Sequence, residues 1–156
     1  FEKATLKDID EIISLYAERM IWFKEHGIKQ WSNYLINHPK EQFIQVIKKG
    51  DFYVLKKDNE IVAGFELSTD SHFWNDNESN AYYLYKVTTK VGAKNIGATM
   101  FEIAKNITKE NGKKYLRLEC LSSNKKLNEL YEKHGFKYVR EGQDFYHYTL
   151  RECKVN

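Results

Sequence analysis

The sequence predicts a single α/β domain in which helices flank a mixed central β-sheet. Its 156 residues are 42% hydrophobic and 15% aromatic, which suits one domain with a full core. The run that begins at Ala81 is rich in aromatic and β-branched residues, as in an interior strand. From Ile96 the apolar residues recur at helical spacing, and another strand-like run follows at Lys114–Leu121. This order indicates a β-α-β crossover.

Two helices are predicted before the first hairpin. Thr5 and Asp8 form a capping-box-like pair, and apolar residues at helical spacing follow them. This first helix should end near His26-Gly27. A second helix should follow Pro39 and end before Gly50. Both helices therefore precede most of the sheet.

A hairpin and a loop are predicted next. Asp51–Lys57 and Glu60–Ser68 are β-branched and apolar runs separated by Asp58-Asn59, which is a two-residue hairpin signal. The two strands should therefore pair antiparallel. Thr69–Ser79 is polar, and we expect it to form a loop before the central strand.

After the strand at Lys114–Leu121, one more helix and two strands are predicted. Asn111-Gly112 should end the central helix, and the next helix should run from about Asn124 to His134. Gly135-Phe136 should close that helix in a Schellman motif. The final strands are predicted at Phe136–Arg140 and Phe145–Leu150, around a turn at Glu141–Asp144. The predicted order is β-α-α-β-β-β-α-β-α-β-β, in one domain over residues 1–156.

Charge and composition exclude several classes of function. The 25 basic and 22 acidic residues leave a net charge of +3, a mixed surface without the basic field of nucleic-acid-binding proteins. The apolar runs are far shorter than the roughly 20 residues of a membrane span, and no leader is apparent. We therefore expect a cytoplasmic protein with no nucleic-acid or membrane partner. Cys120 and Cys153 are predicted to be free thiols, and the histidines lack metal-ligand spacing.

The segment Val91–Ala98 is a candidate anion-binding loop. It lies between the central strand and the central helix, and its small residues let backbone N–H groups approach a ligand. A helix N-terminus also concentrates positive partial charge. Gly92 and Gly97 alone equally fit turn and packing glycines, because a lone glycine-rich loop is weak evidence.

Two motifs together resemble those of the GCN5-related N-acetyltransferase superfamily. They are Tyr85-Lys86-Val87-Thr88-Thr89-Lys90-Val91-Gly92-Ala93-Lys94-Asn95-Ile96-Gly97 and Asn124-x-x-Leu127-x-x-Leu130-Tyr131-Glu132-Lys133-His134-Gly135-Phe136. The order of elements also agrees with that family over essentially the whole chain. The family's loop signature is Gln or Arg, two residues, Gly, one residue, then Gly or Ala. It aligns with Gly92, Asn95 and Gly97, of which only Gly97 matches. Lys90 or Lys94 would restore the missing charge, and asparagine tolerates unusual backbone angles.

The resemblance implies the acyl-CoA N-acyltransferase fold and a transfer of acetyl from acetyl-CoA. The acceptor would be a primary amine of a small molecule or peptide, which attacks directly in a ternary complex. The alternative is a non-catalytic acyl-CoA-binding or sensing module of the same fold, and a homodimer is left open. The residues implied to bind coenzyme A are Tyr85, Lys86, Val87, Gly92, Ala93, Lys94, Asn95, Ile96, Gly97, Ala98, Asn124 and Tyr131.

Three side chains are candidates for proton transfer. The resemblance implies that the Tyr131 hydroxyl lies near the cofactor sulfur, where it would act as a general acid; a core aromatic is the alternative. It also implies an oxyanion contact from the backbone N–H near Val87. Glu66 and Glu119 lie in strand-like runs and are both candidate bases, directly or through water, with exposed strand-face residues as the alternative. Asn124 equally fits a helix N-cap.

The acceptor is expected opposite the cofactor, between the first two helices and the last two strands. Aromatic side chains in connections can form the wall of a small-molecule site, although packing residues are the alternative. The candidate acceptor-binding residues are Trp22, Gln30, Trp31 and Tyr146. They predict an amine with some apolar or aromatic character.

Overall fold

The computed structural model describes residues 1–28, 34–76 and 79–156 and has the predicted α/β architecture. A short 3₁₀ turn, Leu6–Asp8, precedes the first helix. The helices are α1 Ile9–Glu25, α2 Tyr34–Asn37, α3 Lys40–Lys48, α4 Ile96–Glu110 and α5 Lys125–Lys133. The strands are β1 Glu2–Lys3, β2 Phe52–Lys57, β3 Glu60–Ser68, β4 Ala81–Thr89, β5 Tyr115–Leu121, β6 Lys137–Gln143 and β7 His147–Lys154.

The strands form one mixed sheet, as predicted. Its order is β1-β2-β3-β4-β5-β7-β6. β4 and β5 are parallel, because α4 provides the crossover between them. The pairs β1–β2, β2–β3, β5–β7 and β6–β7 are antiparallel. The last strand in sequence, β7, lies between β5 and β6.

The chain divides into two compact units. The first comprises Phe1–Glu66 and Lys86–Met100, and the second comprises Leu67–Tyr85 and Phe101–Asn156. The first unit has a core of apolar side chains from α1, α3, β2 and their neighbours, including Ile12, Tyr16, Phe43, Phe52 and Ile61. The second has an aromatic core that includes Phe73, Trp74, Tyr83, Tyr148 and Leu150.

Two local turn predictions are confirmed by backbone geometry. Asp58 and Asn59 have φ of +52° and +63°, as a type I′ hairpin turn requires, and β2 pairs antiparallel with β3. Gly135 has φ of +90° at the end of α5. The Phe136 N–H donates to the Tyr131 carbonyl at 2.9 Å, which is the long hydrogen bond of a Schellman motif.

The predicted last turn, at Glu141–Asp144, is wrong. Glu141, Gly142 and Gln143 belong to β6 and pair with β7, which continues to Lys154. A Cβ at Gly142 would clash with the Tyr148 side chain. The glycine is there to accommodate that ring, and the chain reverses after it.

Helix α2 was not predicted, because a four-residue helix is too short to show a period. Its buried Tyr34 stacks on Tyr16, with ring centroids 5.7 Å apart. Cys120 and Cys153 are buried free thiols, as expected. Within the described ranges no helix has the length and apolar character needed to cross a membrane.

Candidate functional site

The loop between β4 and α4, predicted to bind an anion, has an unusual backbone conformation at two positions. Gly92 and Asn95 both adopt the left-handed region, with φ of +85° and +62°. Glycine adopts this region freely, and asparagine is among the few other residues that do so readily. Asn95 therefore adopts a backbone conformation that glycine adopts freely, so asparagine is compatible with the positive φ at this position.

The loop is also open to a ligand. A Cβ placed at Gly92 or Gly97 would meet no heavy atom within 4 Å. Helix α4 has 15 residues and no acidic side chain in its first turn. Since N–H groups in a first turn lack intrahelical partners, they are available to a phosphate together with the positive end of the helix dipole. These features fit the diphosphate of coenzyme A.

Of the two lysines considered for the missing charge, Lys94 is better placed. The Lys90 ammonium lies 2.6 Å from the Glu60 carboxylate, so its charge is already paired. Lys94 is exposed and has no ion pair within the part of the chain that the structure describes. Arg19 fixes the strand end before the loop, because its guanidinium donates to the Thr89 carbonyl at 2.8 Å and to its hydroxyl at 3.1 Å.

In the second unit, the structure brings Glu119 and Tyr146 together. The Tyr146 hydroxyl donates to the Glu119 carboxylate at 2.7 Å. Burial raises the pKa of Glu119 above that of an ordinary glutamate, although the Tyr146 hydrogen bond and the charge of His72 oppose this. Burial also raises the pKa of Tyr146, and the Glu119 charge adds to the effect. The pair thus combines a carboxyl group of raised pKa with a neutral phenol.

Tyr131, on α5, belongs to the same unit. Its ring is 7% exposed and packs edge-on against Phe101 and Phe136, with centroids 5.7 and 5.8 Å away. Burial raises its pKa, and the charge of Glu119 adds to the effect. The ring is therefore a core aromatic, as the alternative interpretation proposed. Among the described residues its hydroxyl has no hydrogen-bond partner, and it is not a fully enclosed polar atom, so it is available to donate.

Glu66, the other candidate base, lies in the first unit. Its side chain is buried, so the exposed-face interpretation is wrong for this residue. The Lys86 ammonium lies 2.6 Å from its carboxylate, and the two side chains are only 6% and 10% exposed. The carboxylate therefore already has a charged partner, unlike that of Glu119.

Two further predicted cofactor residues, Tyr85 and Asn124, have identifiable local partners. The Tyr85 hydroxyl donates to the Ser71 hydroxyl. Asn124 is the N-cap of α5, because its side chain accepts from the Leu127 N–H at 3.1 Å. Val87, whose N–H is the candidate oxyanion donor, follows Lys86 in β4.

The candidate acceptor residues are only partly described. Gln30 and Trp31 lie outside the described residues. Trp22, half-buried on α1, stacks on the His26 ring at 4.0 Å between centroids, and the Arg19 guanidinium lies 5.1 Å from its ring. Tyr146 contacts the candidate base Glu119. Of this set, Tyr146 alone has a described contact with a candidate catalytic group.

Sequence patterns missed the backbone conformation at the centre of β4. Lys86 has φ of +55°, although it lies within a strand, and the Tyr16 hydroxyl donates to its carbonyl. In the sequence, Tyr16 is simply one of the residues at helical spacing that predict the first helix. No sequence signal marks either feature, because lysine is not a typical left-handed residue and the contact spans seventy positions.

Comparison with known proteins identifies the family. Residues 21–151 match the family model described as an acetyltransferase (GNAT) domain. An uncharacterized N-acetyltransferase, YesJ, of Bacillus subtilis (strain 168) is 25% identical over 157 residues, covering 96% of this chain and 87% of the relative.

Two solved structures show the same fold. A GNAT-family acetyltransferase from Listeria monocytogenes superposes with a TM-score of 0.84 at 23% identity, covering 99% of this chain and 93% of the other. The PaiA N-acetyltransferase from Thermoplasma acidophilum was solved in complex with coenzyme A. It superposes with a TM-score of 0.77 at 21% identity, covering 98% of this chain and 96% of the other. Since the family model spans most of the sequence, the chain belongs to the GNAT acetyltransferase family.

Proposed function

We propose that this protein transfers acetyl from acetyl-CoA to a primary amine of a small molecule or peptide, by direct attack in a ternary complex. The observation that carries the proposal is the β4–α4 loop, in which Gly92 and Asn95 are left-handed and Gly97 is open. Family membership supplies the reaction class. A structural neighbour that was solved with coenzyme A supports the choice of donor. We propose one such catalytic domain over residues 1–156, acting in the cytoplasm.

Coenzyme A would be held mainly by backbone groups. The N–H groups of Gly92–Ala98 would bind the diphosphate, with Lys94 supplying a positive side chain. The β4 backbone at Tyr85–Val87 would accompany the pantetheine arm, and Asn124 and Tyr131 would complete the site. Bound acetyl-CoA supplies an acetyl thioester, which an uncharged amine can attack.

The protein's own groups must then manage protons and charge. Glu119 is our candidate base, directly or through water, because its raised pKa brings it closer to a physiological working pH. Tyr131 is our candidate acid, because its hydroxyl is protonated and has no hydrogen-bond partner among the described residues. The Val87 N–H would donate to the oxyanion. We leave Glu66 out of proton transfer, since Lys86 occupies its carboxylate.

The acceptor class follows from the surroundings of Glu119. Tyr146, which donates to it, lies in an aromatic group with Phe73 and Tyr148, at 6.3 Å from each ring. Aromatic faces favour apolar and cationic groups. We therefore propose an amine with some apolar or aromatic character, bound near Tyr146.

A panel of amines tests the proposed activity. The protein, acetyl-CoA and each amine are mixed, and release of free thiol is measured together with the acetylated product. We expect release that depends on at least one amine. Tight coenzyme A binding without transfer to any amine would instead support the non-catalytic acyl-CoA-binding module.

Replacing Glu119 with glutamine should lower the rate of acetyl transfer by about a hundredfold, the lower end of the range for a general base. The base must be unprotonated to act. Because burial raises the pKa of Glu119, the parent's kcat/KM should fall as the pH drops through that raised pKa. This fall at low pH is the acid limb of the pH profile, and the Glu119→Gln variant should lack it.

Glu66→Gln provides the matched control. It removes the charge of the other candidate base but leaves an oxygen that can accept from the Lys86 ammonium. We expect its pH profile to keep the acid limb. If Glu66→Gln lost the limb and Glu119→Gln retained it, the assignment of the base would be reversed.

A further inference from the structure

The backbone of β4 is left-handed at Lys86, in the middle of a strand. Its φ of +55° lies in a region that residues other than glycine rarely adopt. Such conformations persist only where the surrounding structure holds them, and they cluster at functional sites. The next residue is Val87, whose N–H is our candidate oxyanion donor. The backbone at Lys86 therefore sets the direction of that N–H.

Tyr16 holds this peptide group directly. Its hydroxyl donates to the Lys86 carbonyl. The Lys86 carbonyl and the Val87 N–H belong to the same planar peptide, so a hydrogen bond that fixes one fixes the direction of the other. The Lys86 side chain is held as well, because its ammonium donates to the Glu66 carboxylate at 2.6 Å. Lys86 is thus held by its carbonyl and by its side chain.

The Tyr16 hydroxyl has little freedom to move. The residue is fully buried, and its ring packs edge-on against Phe43 at 5.0 Å and near Phe52 at 6.4 Å between centroids. A Cβ at Gly64 would lie 3.6 Å from the hydroxyl, so the neighbouring strand also confines it. Burial raises the pKa of Tyr16 well above that of an ordinary tyrosine, which keeps the hydroxyl a neutral donor.

We propose that Tyr16 is a positioning residue for acetyl transfer. By holding the Lys86 carbonyl, it orients the Val87 N–H toward the reacting carbonyl oxygen, and the Lys86–Glu66 ion pair supports the same backbone conformation. This inference rests on the proposed function. It also assigns Glu66 to backbone positioning through Lys86.

The first test is Tyr16→Phe, which removes the hydroxyl and keeps the ring. Loss of a whole oxyanion donor costs about 10²–10³ in kcat, so a misdirected donor should cost about tenfold to a hundredfold in single-turnover transfer. The affinity of Tyr16→Phe for acetyl-CoA should stay within about twofold of the parent's. The substitution weakens a contact made in the transition state and leaves the ground-state contacts with the cofactor in place. The Val87 amide resonance should shift in an ¹H–¹⁵N spectrum.

Tyr53→Phe is the matched control, because Tyr53 is another buried tyrosine of the first unit and stacks on Phe65. It should keep the parental transfer rate and Val87 resonance. A Tyr16→Phe protein with parental rate and resonance would overturn the positioning role, as would equal losses in rate and affinity. Absence of transfer by the parent itself would overturn the proposed function and this role together.

A pair of variants at Lys86 tests the same idea without touching Tyr16. Lys86→Gly and Lys86→Ala both remove the ion pair with Glu66, but only glycine adopts a φ near +55° without steric cost. We expect faster single-turnover transfer from Lys86→Gly than from Lys86→Ala. Equal rates, or a faster alanine variant, would show that the left-handed backbone does not matter for transfer.

Discussion

Gly97→Glu should abolish coenzyme A binding while the protein stays folded. The substitution places a carboxylate at the start of α4, where backbone N–H groups would otherwise meet phosphate. Like charges repel there, and the new side chain fills space that the ligand needs. The fold should survive, because a Cβ at Gly97 meets no heavy atom within 4 Å. An acidic residue near a helix N-terminus is itself favourable.

Calorimetry and thermal unfolding in parallel measure this effect. A ligand that binds only the native parent adds about 2.7 kcal/mol to its stability at a hundredfold excess over Kd, so the parent's melting temperature should rise with coenzyme A. Gly97→Glu should show no rise and no heat of binding. Gly97→Ala is the control, because the family's loop signature admits alanine at this position. If Gly97→Glu bound as tightly as the parent, the loop would not be the diphosphate site.

The elements that could be predicted from sequence are those with short-range causes. Asp58-Asn59 specifies its hairpin turn because both residues tolerate positive φ, and Gly135 specifies the Schellman end of α5 for the same reason. Asn124 caps the start of the same helix, α5, through its own side chain. The positive φ of Asn95 also has a local cause, since asparagine tolerates such backbone angles.

The features that could not be predicted have long-range causes. Lys86 is left-handed because of contacts from Tyr16 and Glu66, which no local pattern encodes. Gly142 looked like a turn residue, whereas it accommodates the Tyr148 ring within a strand. Sequence also left Glu66 and Glu119 equivalent as bases. The structure distinguishes them by their partners. Glu66 is paired with the Lys86 ammonium, whereas Glu119 accepts a hydrogen bond from the Tyr146 phenol.

Tyr131→Phe should lower single-turnover acetyl transfer by about 10²–10⁴-fold, the usual worth of a general acid–base group. The substitution removes one hydroxyl and keeps the ring that packs against Phe101 and Phe136. Because the packing is retained, the free energy of unfolding and the affinity for coenzyme A should change little. Both are measured alongside the rate, with an amine already shown to react.

The pattern of losses decides what the Tyr131 hydroxyl does. A proton donor to the departing thiolate acts only in the transition state, so its removal lowers kcat and kcat/KM together and spares ground-state binding. A purely structural ring predicts no loss, since the hydroxyl has no hydrogen-bond partner among the described residues. Parallel losses of rate and coenzyme A affinity would make Tyr131 a binding residue. An unchanged rate would remove it from the mechanism and leave solvent as the proton source.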